Sequence, residues 1–76
     1  MNNKRRDLLR LAGDLLDRAL GYVTRALDAE QDCLDNMPEN LQYSERYEKM
    51  EAAIDNLETA VERIDEAKDC LEEASA

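Results

Sequence analysis

The sequence predicts an all-α protein: an antiparallel two-helix hairpin, coiled-coil-like, that dimerises into a four-helix bundle. Three observations carry that prediction. The composition sets 38% charged against 43% hydrophobic residues, with only two Gly and one Pro among 76 residues, the balance of long amphipathic helices. One cluster of chain breakers, Asp35-Asn36-Met37-Pro38-Glu39-Asn40, lies near the middle and divides the chain in two. On both sides of it apolar residues recur by steps of three and four, the heptad signature.

These features define a single domain, residues 1–76, with a helix over about 4–35, a loop over about 36–43 and a helix over about 44–74. In the first helix Leu8, Ala12, Leu15, Ala19, Tyr22, Ala26, Ala29 and Cys33 form one heptad seam. A second seam runs one residue away through Leu9, Gly13, Leu16, Leu20, Val23, Leu27 and Leu34, interrupted by Glu30. Together they make an apolar face too wide for one neighbouring helix.

Pro38 can open a short turn of its own, and Ser44 is placed to cap the second helix, with Glu45 and Glu48 favourably set in its positive first turn. Along that helix Tyr43, Met50, Leu57, Ile64 and Leu71 recur every seven residues, as do Ala53, Ala60, Ala67 and Ala74, and a third row holds Tyr47, Ile54 and Val61 before ending at Lys68. A symmetric fold at the loop pairs Leu8 with Leu71, Leu15 with Ile64, Tyr22 with Leu57 and Ala29 with Met50. Alanine pairs lie between these layers, which lets the helices approach to roughly 8 Å. The same register sets Arg6 opposite Glu73 and Arg10 opposite Asp69, each a weak surface pair.

That arrangement leaves Leu9, Leu16, Leu20, Val23, Leu27 and Leu34 on one helix, and Tyr47, Ile54 and Val61 on the other, as the expected dimer interface. A chain this short encloses little core on its own, and a second copy is the simplest cover for the remaining apolar face.

Lys+Arg number 10 and Asp+Glu 19, a net charge of −9, which excludes nucleic-acid binding by bulk charge. The asymmetry is strong: residues 1–35 hold six basic and seven acidic side chains, and residues 36–76 hold four and twelve. On the second helix Glu51, Asp55, Glu58, Glu62, Asp65, Asp69 and Glu72 form an acidic stripe. It reads as a solvated bundle face; the sharper alternative is imitation of nucleic-acid phosphates, or docking on a basic protein surface.

The chain contains no His, Trp or Phe. Without histidine the Glu-x-x-His site of di-iron bundles cannot be built, Ser44 and the two cysteines have no imidazole base, and no Gly-rich phosphate loop is present. No metal, cofactor or enzymatic activity is therefore expected. Cys33 and Cys70 fall near opposite ends of the hairpin, too far apart to bridge. They read either as a small buried residue plus a surface thiol or as a redox or intersubunit link, free thiols suiting a reducing compartment. Tyr43 and Tyr47 near the turn either cap the bundle core or form a recognition tip. The start Lys4-Arg5-Arg6-Asp7 leads into no signal-peptide core, and no apolar run reaches membrane-spanning length, so a cytoplasmic location with no membrane partner is expected.

The runs Asp35-Asn36-Met37-Pro38-Glu39-Asn40-Leu41-Gln42, Ser44-Glu45-Arg46-Tyr47-Glu48-Lys49-Met50-Glu51 and Ala53-Ile54-Asp55-Asn56-Leu57-Glu58 resemble small helical-hairpin proteins from phage-like and conjugative elements of Gram-positive gut bacteria. The resemblance implies an element of mobile DNA and no particular activity. Length and topology also look like the secreted helical hairpins of the WXG type, but the turn here has no Trp-x-Gly. The function these readings imply is that of a dimeric, non-enzymatic protein interaction or structural module. The alternative is an acidic nucleic-acid mimic that binds a basic DNA- or RNA-binding protein.

Overall fold

The computed structural model describes residues 2–76 as two long helices, α1 (Asn3–Asp35) and α2 (Glu45–Ser75), packed side by side and joined through a 3-10 turn at Glu39–Leu41. It is a rod of 59 × 14 × 13 Å. The all-α hairpin read from the heptads is the observed architecture.

Polar side chains that satisfy otherwise orphaned backbone groups set the helix ends. Asn2 caps α1 by accepting a hydrogen bond from the Arg5 backbone N–H at 2.9 Å. At the other end the Asn36 side-chain amide donates to the Asp32 carbonyl at 2.8 Å, closing α1 without a left-handed residue. Pro38 then opens the 3-10 turn, its carbonyl accepting from the Leu41 N–H at 2.9 Å. Ser44 links that turn to α2: its hydroxyl donates to the Leu41 carbonyl at 2.6 Å and accepts from the Tyr47 N–H at 3.2 Å.

The faces of α1 differ from the expected assignment. Leu8, Leu15 and Tyr22, expected against α2, are 60–65% exposed. The other seam is turned to α2: Leu9, Leu16, Leu20, Val23, Leu27 and Leu34 are all half-buried, opposite half-buried Tyr47 and Val61 and buried Ile54. The residues expected to meet a second hairpin are thus the interior of this one. The physical reason lies in size. That seam carries large aliphatics at six positions, whereas Ala, Cys and one Tyr occupy most of the other, so docking on it removes more apolar area from water.

The register shifts as well. The expected pairing sets Asp17 against Glu62, a like-charged contact; the structure instead joins the Asp17 carboxylate to the Lys68 ammonium, about six residues or roughly 9 Å further along α2. Carried along both helices, that contact brings Gly13 near the level of Leu71, Leu20 near Ile64, Leu27 near Leu57 and Leu34 near Met50. The symmetric loop assumed for the expected register is not what forms. α2 starts about one turn beyond the end of α1, and the connection climbs beside it, with Met37, Pro38 and Leu41 bordering one hollow together with Arg46 and Met50.

Among the described residues only Met50 and Ile54, 8% and 5% exposed, are buried. Both lie in the half of α2 nearer the turn, and at Met50 the connection adds its cover to that of α1. Elsewhere each helix shields only one side of the other.

Two stability outcomes follow from these local features. Ser44→Ala removes both hydroxyl hydrogen bonds and should lower the unfolding free energy by about 1 kcal/mol, read from urea denaturation followed by circular dichroism. Gly13 and Gly21 sit inside α1 with open space where a β-carbon would stand; Gly13→Ala and Gly21→Ala should each raise stability by about 0.5–1 kcal/mol, seen as a higher Tm.

Candidate interaction surfaces

Seating α1 on its larger seam leaves the other one facing out. Leu8, Leu11, Leu15 and Tyr22 are all more than half exposed and follow one another at helical spacing. Ala26, Ala29 and Cys33, likewise exposed, continue the row, while Ala12 and Ala19 line its inner edge half-buried. Four large apolar side chains on one face exceed the scattered exposure normal for a protein surface. The Arg25 guanidinium lies over the Tyr22 ring at 5.7 Å, so the row is bordered by a cation.

Leu11, 55% exposed, belongs to neither seam read from the sequence. The three-residue step from Leu8 to Leu11 and the seven-residue step from Leu8 to Leu15 were the signal that places it on this face.

The acidic stripe is also on the outside. Glu51, Asp55, Glu58, Glu62, Asp65, Asp69 and Glu72 are all exposed, on the flank of α2 away from the apolar row of α1. Their carboxylates are solvated, as a charged helix face requires.

Among the described residues the Asp17 and Lys68 pair is the cross-helix ion pair, and it was not foreseen from sequence. Lys68 ends an otherwise apolar row of α2, and its side chain is only 25% exposed. The hydrogen bond to Asp17 raises the Lys68 ammonium above its ordinary value of 10.5, against a smaller opposing effect of desolvation. Glu30, the charge that interrupts the inner seam of α1, lines a shallow cleft with Arg46, Lys49, Met50 and Ala53 near the turn. Glu45 lines that cleft as well and takes the Lys49 ammonium at 3.1 Å. The expected partners of Arg10 differ too: it bonds Asp7 of its own helix at 3.3 Å.

At the open end Arg6, Leu9, Gly13, Asp17, Lys68 and Leu71 border a shallow trough. Among the described residues no group of His, Cys, Asp or Glu is arranged to hold a metal ion. No helix there is long and apolar enough to cross a membrane. Cys33, read as a small buried residue, is exposed, as is Cys70. Tyr43 is 93% exposed and caps nothing, while Tyr47 is half-buried against the interior.

No protein family model matches the chain, and no curated protein or solved structure is similar to it.

Because the Lys68 ammonium is raised in the folded chain, the stability its ion pair contributes is present at neutral pH and is lost as pH climbs through the raised value. Lys68→Met should abolish that alkaline loss. Urea denaturation of both chains at about pH 8 and about pH 11 measures it, with a larger drop in the native chain than in the variant.

Proposed function

We propose that the chain is a non-enzymatic interaction protein whose working form is a dimeric helical bundle, held together by the outward row of α1. The observation that carries this reading is a mismatch between interior and exterior. Among the described residues the hairpin buries two side chains while leaving Leu8, Leu11, Leu15 and Tyr22 more than half in water.

The magnitudes allow association. Each large apolar side chain taken out of water contributes ~1.5–3 kcal/mol when fully transferred. With the row contributed by both copies, the gain is on the order of ten kcal/mol, comparable to the cost of bringing two chains together. The lack of any histidine and the shallow open troughs give an enzyme reading no support. In the dimer the acidic flank of α2 faces outward, where its charge keeps assemblies apart and is available to a basic protein.

Light scattering coupled to size exclusion tests the proposal. The native chain should elute at twice its chain mass, and Leu11→Glu/Leu15→Glu should shift it to the monomer mass with loss of helical ellipticity. A native chain that is a stable, fully helical monomer overturns the proposal, as does a double variant that keeps the dimer mass.

A further inference from the structure

Resting on that dimeric reading, we propose that the occupant of the outward face is a second copy of this chain in one orientation: the two α1 helices run antiparallel about a two-fold axis that crosses them beside Leu20 and Gly21.

The first argument is shape. Along the outward face the bulky side chains run from Leu8 to Tyr22 of α1 and the small ones alternate with and follow them. Antiparallel pairing about that axis sets Leu8 opposite Cys33, Leu15 opposite Ala26 and Tyr22 opposite Ala19, with Leu11 beside Ala29. Every large side chain meets a small one, which is how facing layers interdigitate at protein packing density. A parallel pairing stacks Leu8 on Leu8 and Tyr22 on Tyr22, and leaves layers of Ala against Ala between them.

A second argument comes from α2 and locates the axis independently. Ala53, Ala60 and Ala67 are half-buried and Ala74 is exposed, all on the flank of α2 that shares its side of the rod with the outward row. Near the turn, the cleft lined by Glu30 on α1 and by Lys49 and Ala53 on α2 opens on that same side. Antiparallel contact of two α2 helices pairs Ala53 with Ala74 and Ala60 with Ala67, with an axis between Arg63 and Ile64. The Asp17 to Lys68 contact sets the axis found on α1 level with Ile64 and Asp65. The two axes agree to within about one residue, or roughly 1.5 Å.

Area agrees with this pairing. The acidic stripe lies on the far flank and takes no part. The four large exposed side chains present on the order of 450 Å² per copy, and the alanine flanks extend the face towards the ~800 Å² per partner of a standard stable interface.

Cysteine cross-linking reads the orientation. Antiparallel pairing holds the two Cys33 residues roughly 38 Å apart, whereas parallel pairing brings them together. Three chains are compared under a short bismaleimide: Cys70→Ser alone, Leu8→Cys/Cys33→Ser/Cys70→Ser, and Leu8→Cys/Cys70→Ser. The expected result is a covalent dimer on a denaturing gel from the third chain only, since its introduced thiol faces Cys33 of the other copy and is too far from its own. Cross-linking of either single-thiol chain overturns the antiparallel assignment. So does a third chain that stays uncross-linked while light scattering finds it dimeric. A monomer mass for all three overturns the dimeric reading itself, and the two failures are thereby told apart.

Discussion

Two helices touch along a single line, and that constraint governs the rest of this structure. A helix whose apolar residues occupy a narrow stripe can bury it against one neighbour. The apolar arc of α1 spans roughly half its circumference, from Leu11 through Leu15 and Leu9 to Leu20, so α2 shades only part of it. Hence most of the interior face is half-buried, and among the described residues full burial is reached only at Met50, where the connection supplies a third wall, and at Ile54 one turn further along α2. A third and a fourth helix would relieve the same shortage along the remaining length.

Which part of the arc α2 takes is settled by apolar size and by charge together. Size favours the row from Leu9 to Leu34. Charge then chooses among the sliding registers that a heptad repeat leaves nearly equivalent, because Lys68 interrupts an apolar row of α2 and Asp17 stands where its ammonium can reach. A polar group at a seam position contributes little to stability but discriminates between alignments. The match of Asp17 to Lys68 in place of Glu62 is a discrimination of that kind.

The helical class and the capping role of Ser44 were legible because they depend on local chemistry: period, propensity and a hydroxyl at the right offset. Register and face were not, because they depend on comparing alternatives that the same heptads satisfy. Leu8 with Leu71 and Leu9 with Ser75 are both acceptable pairings on paper. The choice rested on an asymmetric connection whose course past the end of α1 no residue between Asn36 and Ser44 announces. At the surface the acidic stripe could be read directly, since charge at helical spacing has one stable environment, whereas Leu11 was hidden by dividing a broad face into two narrow seams.

The climbing connection also grades the rod mechanically from end to end. Residues that meet near Met50 are separated by a short stretch of chain, so closing that contact costs little entropy, while those at Leu9 and Ser75 enclose nearly the whole sequence. The well-covered end is thus also the end that forms most readily, and assembly proceeds as a zipper running from Ser44 towards the termini. Opening follows the reverse course: the termini fray first, and the segment around Ile54 is the last to exchange its amide hydrogens with solvent.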